Sequence, residues 1–173
     1  DGTEAGVVDH PAPIGSPVDC ATCHNEAAST LQSVTFPSGV AVADLGSSQV
    51  CAICHQGRQS GDNVAAATEG MDDDVISADL GFLNVHYRAA AATLLGGQVR
   101  GGYQYAGRDY AQKFNHVPPL DTCVGCHQPH SLEIVSDQCV ACHQTDDPMA
   151  IRTTPADVDG DGDASEGFAM EVA

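Results

Sequence analysis

Large aromatic positions are sparse along this chain, and small residues take their place. Aromatic residues make up 5% of the sequence and tryptophan is absent, whereas alanine and glycine are abundant. The best helix candidate runs roughly from Ser77 to Leu95, because it contains the alanine run 89–92 and is followed by Gly96-Gly97 as a stop signal. The pattern therefore predicts one substantial helix, with His86 on it.

The remaining segments are predicted to be connections and short elements. Residues 61–80 form a polar linker with the acidic run 72–74, and a Ser-, Thr- and Gly-rich segment surrounds residues 36–39. Residues 101–110, with their alternating tyrosines, predict a small hairpin or turn, and Pro118-Pro119 enforces an extended backbone. No stretch approaches the ~20 apolar residues of a membrane span. The predicted fold class is a small, loop-rich chain, mostly coil with short α-helices.

The eight cysteines carry the strongest chemical signal. They fall into four pairs of the form C-x-x-C, namely Cys20/Cys23, Cys51/Cys54, Cys123/Cys126 and Cys139/Cys142. Each pair is followed directly by a histidine, giving His24, His55, His127 and His143. C-x-x-C-H is the attachment sequence of c-type haem. Its two thiols add to the two vinyl groups of one porphyrin, and the histidine supplies the proximal iron ligand.

Two other interpretations of the cysteine pairs are weaker. Zinc sites also use C-x-x-C pairs, but zinc gives no reason for a histidine after every pair. With 8 histidines in 173 residues, that placement has chance odds of roughly a few in a million. A disulfide framework is disfavoured because such adjacent pairs are poor staples for a chain of this length. The sequence therefore predicts four haem c groups.

The histidine count predicts the second axial ligands. Four histidines lie outside the attachment motifs: His10, His86, His116 and His130. Four six-coordinate haems need four such ligands, and only three methionines could compete. Any single one of these histidines could be an ordinary surface or core residue, but the match in number favours bis-histidine ligation throughout.

Two of these histidines allow sharper expectations. His130 lies three residues after His127, so the two side chains emerge on the same side of a turn. Because axial ligands of one iron approach from opposite porphyrin faces, His130 is expected to serve a different haem from His127. His10 precedes every attachment motif, and can fold back on its own subunit or reach a haem of a neighbour.

Four haems in 173 residues leave too little polypeptide for a conventional apolar core. The haem stack is therefore expected to form the core of a tetrahaem domain at residues 1–150, followed by an acidic segment at 151–173. The scarce cations Arg58, Arg88, Arg100, Arg108 and Lys113 are expected partners of the haem propionates.

The charge balance is strongly acidic. The formal net charge is −18, from 24 acidic and 6 basic residues. Phosphate backbones would be repelled, so a nucleic-acid partner is excluded. The charge suits solubility, a positively charged partner or a medium rich in divalent cations, although a solvated acidic surface accounts for most of it. Haem attachment to C-x-x-C-H occurs outside the cytoplasmic membrane, so we expect a secreted, extracellular or periplasmic chain whose signal peptide has been removed.

The acidic segment contains a partial calcium loop. Carboxylates alternate at Asp157, Asp159, Asp161 and Asp163, and Gly162 occupies the sixth position, as in the first half of an EF-hand loop. Phe168 stands at the twelfth position, so Glu166 or Glu171 would have to replace the usual glutamate. A calcium ion is the candidate cofactor, and a solvated acidic tail is the alternative.

Several blocks resemble bacterial and archaeal multihaem cytochromes over roughly residues 10–145. They comprise residues 84–90, 96–97, 101–105, 110, 116–117 and 123–130, together with Cys51-Ala-Ile-Cys54-His55-Gln56-Gly57-Arg58. With four haems in a short chain, the sequence is similar to the extracellular tetrahaem cytochromes that polymerise into conductive filaments. That resemblance implies a homopolymer in which His10 ligates a haem of the next subunit. The acidic loop has no counterpart in the resemblance.

Three classes of function follow. The first is electron transfer, either as the subunit of an extracellular filament or as a discrete periplasmic shuttle, with redox proteins or extracellular acceptors as partners. The second is a multihaem reductase, which would need an open iron position that the histidine count does not leave. The third is a calcium-binding structural or surface-layer component. We predict electron transfer without enzymatic chemistry, at the low potentials that histidine ligands favour over methionine.

Overall fold

The computed structural model describes residues 18–72, 74–114, 116–152, 154–167 and 169–171. They form two compact units, one made of the described residues up to Pro118 and the other of those from Pro119 onward. The predicted division into residues 1–150 and 151–173 stays a prediction. Within the described ranges, no helix is long and apolar enough to cross a membrane.

Regular structure is short throughout, which confirms the loop-rich, mostly coil character with short helices. The described elements are α1 (Cys20–Cys23), α2 (Glu26–Ser29), β1 (Ser33–Thr35), β2 (Ala41–Ala43), α3 (Gln49–His55), α4 (Gly61–Ala67), α5 (Ala90–Leu95), α6 (Cys123–Cys126) and α7 (Val140–His143). Single 3₁₀ turns at 46–48, 96–98, 136–138 and 148–150 connect some of them.

The first unit has a small protein core built on a hairpin that sequence reasoning missed. Strands β1 and β2 pair antiparallel, with Val34 opposite Val42. The Ser/Gly segment at 36–39 closes the hairpin, since Gly39 donates to the Phe36 carbonyl at 2.8 Å. Val34 and Phe36 are buried with Leu95 and other residues of α3 and α5. This core holds α3 against α5.

The polar segment 61–80 is not wholly a linker, because it begins with α4. Ser60 caps this helix through the amide of Asn63, whose side chain accepts from the Ser60 amide in return. Ser60 itself is fully buried. A reciprocal cap formed by two small polar residues starts a helix whose composition alone would suggest a linker.

The predicted helix from Ser77 to Leu95 is wrong over most of its length, since only Ala90–Leu95 is helical. The side chains of Ser77 and Asn84 accept hydrogen bonds from the amides two residues later, at 3.2 and 3.1 Å. Such local bonds compete with helix formation. Arg88 adopts a left-handed conformation with φ of 49°, which ends any helix at that point. His86 therefore lies in a turn that precedes α5.

The tyrosine-containing segment forms a turn, with no strand in residues 101–110. The Tyr105 amide donates to the Tyr110 hydroxyl at 2.7 Å, and the Tyr103 and Tyr105 rings pack edge to face at 5.1 Å. Backbone bonds attach the following residues to the end of α5: Gly97 donates to Ala111 at 2.6 Å and Phe114 donates to Leu94 at 2.7 Å. Residues 101–114 thereby form a wall beside α5.

The second unit contains α6, α7 and the acidic segment. A single β-bridge joins His127 to Ile134, and the acidic segment folds back so that Ala169 donates to the Met149 carbonyl at 3.1 Å. Among the described residues of this unit no hydrophobic side chain is buried, and the buried residue is Glu171.

Candidate haem-attachment and ligand sites

All four C-x-x-C-H motifs form a turn of helix. The amide of the histidine donates to the carbonyl of the first cysteine at 2.8 Å in His24, His127 and His143, and the second motif lies within α3. Residues three and four apart lie on the same face of a helix. Each motif therefore presents two thiols and one imidazole together, as attachment of a single porphyrin requires.

The chain fixes two of these turns with side-chain caps. Asp19 accepts from the Thr22 amide at 3.0 Å, and Thr22 accepts from the Asp19 amide at 3.2 Å. Thr122 caps α6 in a similar way by accepting from the Gly125 amide at 3.1 Å. The second thiol of every pair and all four motif histidines are exposed. The turns are thus set by the protein while their reactive atoms remain accessible.

The fourth motif differs from the first and third at its start. A 3₁₀ turn precedes it and α7 begins at Val140, so Cys139 lies at the helix boundary while Cys142 lies inside α7. The Cys142 amide donates to the Cys139 carbonyl at 3.2 Å, a bond between residues three apart that is typical of a 3₁₀ turn. Cys142 is exposed, whereas Cys139 is half-buried. Attachment of a haem through Cys139 and Cys142 stays a prediction.

His127 has a defined ring orientation. Its Nδ1 lies 3.1 Å from the carbonyl oxygen of Leu132. A carbonyl only accepts, so this contact assigns the proton to Nδ1 and leaves Nε2 as the nitrogen with a lone pair for a metal. Leu132 holds its carbonyl there from a left-handed conformation with φ of 64°.

A tight turn links the third and fourth motifs. The Gln128 amide donates to Glu133 and the Val135 amide donates to Cys126, both at 2.8 Å. The chain thus reverses after α6, and Cys139 follows only four residues after Val135. Partial burial raises the pKa of the Cys126 thiol, and the neighbouring thiols of Cys139 and Cys123 raise it further. The two attachment sites are therefore close in space.

His86 is exposed, and the next residue, Tyr87, lies beside two guanidinium groups. The Arg58 and Arg88 guanidinium carbons lie 5.3 and 5.6 Å from the centre of the Tyr87 ring, at cation–π distance. Gly57 also donates to the Arg88 carbonyl at 3.1 Å. These contacts bring His86 to the segment that directly follows the second attachment motif.

The other predicted distal ligands are placed as follows. His130 is exposed, and its amide donates to the Gln128 side chain at 2.5 Å, so the turn that orients His127 also positions His130. His116 is exposed and lies two residues before Pro118. His10 lies outside the described residues. Pairing of these histidines with individual haems stays a prediction.

One of the predicted propionate partners has a carboxylate partner already. Arg100 forms an ion pair with Asp62 at 2.7 Å, and the hydrogen bond that Arg100 donates to Asp62 raises the pKa of this guanidinium. Arg58 and Arg88, which flank Tyr87, are the members of the predicted set whose position beside a candidate ligand fits that role best.

The acidic segment wraps around Arg152, a residue that sequence reasoning missed. Arg152 donates to the Glu171 carboxylate at 2.5 Å and to the carbonyl oxygens of Thr154 and Ala156 at 3.1 and 2.9 Å, and also to the Glu166 carbonyl. The amide of Val158 lowers the pKa of Glu171, and Arg152 lowers it further against the opposing effect of burial. The available signal was that Arg152 is the sole lysine or arginine after Lys113 in the sequence.

The predicted calcium ligands are brought together in two overlapping groups. Asp157, Asp159 and Glu171 place ligand atoms within 4.8 Å of one another, and so do Asp159, Asp161 and Glu166. Burial raises the pKa of Glu166, and the charges of the neighbouring aspartates raise it further. Asp163 belongs to neither group. It accepts from Ser165 instead, which lowers its pKa.

Comparison with known proteins identifies relatives of matching chemistry. The chain is 40% identical over 109 residues to the C-type polyheme cytochrome OmcB of Geobacter sulfurreducens, which covers 54% of this chain and 13% of OmcB. It is 41% identical over 100 residues to OmcC of the same species, covering 51% of this chain and 12% of OmcC. No family model and no solved structure matches. The chain thus spans about an eighth of the length of these relatives, and the similarity supports a multihaem c-type cytochrome.

Proposed function

We propose that the chain binds four c-type haems, each ligated by two histidines, and transfers electrons between them without catalysing a reaction. The observation that carries this proposal is the fourfold recurrence of a helical turn that presents two thiols and an imidazole on one face. The polyheme cytochrome relatives support the same chemistry. His10, His86, His116 and His130 are the proposed distal ligands.

The distribution of apolar side chains fits a core made largely of porphyrin. The described part of the second unit buries no hydrophobic side chain, yet it exposes Leu132 (59%), Ile134 (50%) and Val140 (44%) close to its two attachment motifs. Large exposed apolar areas indicate a missing partner surface. The two porphyrin rings attached at these motifs would cover such side chains.

Bound at these sites, haem iron supplies one-electron redox chemistry. The residues of the chain set the conditions for it. The motif turns fix the proximal imidazoles, the Leu132 carbonyl orients His127, and the reversal between Cys126 and Val135 keeps two attachment sites close together. Short spacing favours transfer from one haem to the next.

The larger role that we propose is the subunit of an extracellular filament for long-range electron transport, in which His10 ligates a haem of the neighbouring subunit. Extracellular acceptors or redox proteins would be its partners. A discrete periplasmic shuttle is the alternative, with His10 folded back onto its own haem. The same four-haem chemistry serves both.

Two measurements on natively purified protein test these statements in order. The intact mass should exceed that of the polypeptide by four haems, and the optical and electron paramagnetic resonance spectra should show low-spin iron only. Fewer than four haems would contradict the attachment sites, and a high-spin haem would revive an open coordination position of the kind a reductase needs.

Electron microscopy then separates filament from shuttle. Long uniform filaments are expected for the native protein, and small discrete particles for His10→Ala. Asp9→Ala is the matched control, because it changes the neighbouring residue and leaves the imidazole in place. Discrete particles for the native protein, with four low-spin haems, would establish the shuttle.

We further propose that the acidic segment binds calcium through Asp157, Asp159, Asp161, Asp163 and Glu166, with Glu171 as an additional ligand. Carboxylate oxygens are the ligands that calcium prefers, and Asp159 belongs to both groups of converging carboxylates. A divalent cation would offset the charges of the neighbouring aspartates, which add to the effect of burial in raising the pKa of Glu166.

Calorimetric titration with calcium tests the site. Wild-type protein is expected to bind one ion per loop, and Asp159→Asn should weaken binding at least tenfold because it removes a charged ligand common to both groups. Asp72→Asn, in the acidic run at 72–74, has the same change of charge and should leave binding unaltered. Equal affinities for both variants would contradict the site.

A further inference from the structure

An open cleft of about 510 Å³ lies within the first unit, between the start and end of α5 and the wall formed by residues 101–114. Its size is within the range of cofactor sites, roughly 300–1,000 Å³. The lining is mostly small or aromatic, with Ala89, Ala92, Gly102, Tyr103 and Phe114 as typical members. His86 is the one imidazole in the described lining, which carries no charged side chain.

The walls of this cleft are held by the backbone. The bonds from Gly97 to Ala111 and from Phe114 to Leu94 fix the 101–114 segment against α5. The Gln104 side chain donates to the Gly97 carbonyl at 3.2 Å and adds a further bond between the same two segments. An apolar cleft with fixed walls and one imidazole is the environment that a flat, apolar, iron-containing ring requires.

Contacts join the cleft to the second attachment motif. Gly57 donates to the Arg88 carbonyl, and a Cβ at Gly57 would lie 3.8 Å from that of Ala89, a residue of the cleft lining. Arg58 and Arg88 flank Tyr87, next to His86. Two guanidinium groups beside a neutral cleft supply the charge that porphyrin carboxylates need.

We infer that this cleft seats the haem attached at Cys51 and Cys54. His86 ligates its iron, and Arg58 and Arg88 pair with its propionates. The inference rests on the proposed multihaem function and assigns a seat that attachment motifs alone do not specify. It makes Gly102 a steric determinant of haem binding.

Gly102 offers a selective test because a Cβ at this cleft-lining position would meet no protein atom within 4 Å. Gly102→Leu should therefore fold and direct its side chain into open space that the haem needs. Gly81→Leu is the matched control, since a Cβ at Gly81 also meets nothing within 4 Å and Gly81 does not line the cleft. Gly102 and Gly81 are both outside the positive-φ set, so neither exchange strains the backbone.

The measurement is optical and electron paramagnetic resonance spectroscopy of the holoprotein, with haem content checked by intact mass. His86→Gly should convert one of the four haems to the high-spin form, and added imidazole should restore the low-spin spectrum. Gly102→Leu should change the spectrum or midpoint potential of one haem, whereas Gly81→Leu should match the wild type. A wild-type spectrum and set of potentials in either His86→Gly or Gly102→Leu would overturn the inference.

If the proposed four-haem function is wrong, the intact mass of the wild-type protein should show fewer than four haems, which none of the variant results above would produce. A crystal structure of the holoprotein decides which haem is involved. Porphyrin density between the Cys51/Cys54 pair and His86 is expected. A haem from another motif in the cleft, or a cleft filled by side chains, would overturn the assignment.

Discussion

At the scale of single residues, the backbone adopts a left-handed conformation at three non-glycine residues that lie beside candidate haem ligands. Arg88 (φ 49°) follows His86 by two residues, Leu132 (φ 64°) holds the acceptor for His127, and Gln144 (φ 60°) follows His143 directly. Non-glycine residues rarely adopt positive φ. In each case the surrounding hydrogen bonds hold a conformation that changes the chain direction next to an imidazole.

Leu132 gives the clearest prediction at this scale. Leu132→Val should weaken the bond from His127 Nδ1, because a β-branched residue strongly disfavours positive φ. A less hydrogen-bonded imidazole is a less basic ligand, so one of the four midpoint potentials should rise. The expected change in the free energy of reduction is the net contribution of one hydrogen bond, about 0.5–1.5 kcal/mol. Potentiometric titration followed optically measures it.

Leu132→Gly provides the control for that prediction, since glycine adopts positive φ readily and retains the carbonyl. Its four potentials should lie closer to wild-type values than those of Leu132→Val. Leu132 is 59% exposed in the polypeptide, so neither exchange removes much protein packing, and the loss of contact with a covering porphyrin should be larger in Leu132→Gly, which removes the whole side chain. A rise of equal size in both variants would mean that the side chain, and not the carbonyl position, matters.

At the scale of elements, the attachment turns were predictable from the sequence and the intervening helices were not. A C-x-x-C-H motif must present its three ligands on one side, and a helical turn does this with local hydrogen bonds alone. The helix around His86 failed as a prediction because Ser77 and Asn84 offered local alternatives that outweigh the alanine pattern. The β1–β2 hairpin is only three residues per strand, too short for a periodic signal.

Helix α4 shows how much one cap contributes. Ser60→Ala should remove the acceptor for the Asn63 amide and leave buried backbone groups unsatisfied, at a cost of about 1–2 kcal/mol. Chemical denaturation of the holoprotein measures the loss. Ser47→Ala, at an exposed serine in the turn before α3, should change stability by less than about 0.5 kcal/mol. Equal losses would show that the Ser60 cap adds nothing.

At the scale of the whole molecule, the two units differ in what they bury. All eight buried hydrophobic residues among those described lie before Pro118: Val34, Phe36, Val42, Ala52, Ala91, Ala92, Leu95 and Val99. In the described part of the second unit, Arg152 bonds to the Glu171 carboxylate and to three backbone carbonyls. Composition pointed to a chain short of aromatic side chains, but the uneven division between the units depends on long-range packing that composition does not encode.

This difference predicts how the polypeptide behaves without haem. Hydrogen exchange with mass spectrometry on the haem-free chain should show protected amides in β1, β2, α3 and α5, where the eight buried residues pack. Residues 119–152 should exchange at nearly the rate of an unfolded chain, because hydrophobic burial is the main source of tertiary stability. In the holoprotein both regions should be protected.

The comparison is controlled within one molecule, since each unit carries two attachment motifs and loses two haems. Calcium should be present throughout, so that the acidic segment does not contribute a difference of its own. Protection of α6 and α7 in the haem-free chain, equal to that of α3, would show that the second unit folds on polypeptide contacts alone. Haem would then bind to a polypeptide that has already folded, and it would not be the core around which the second unit folds.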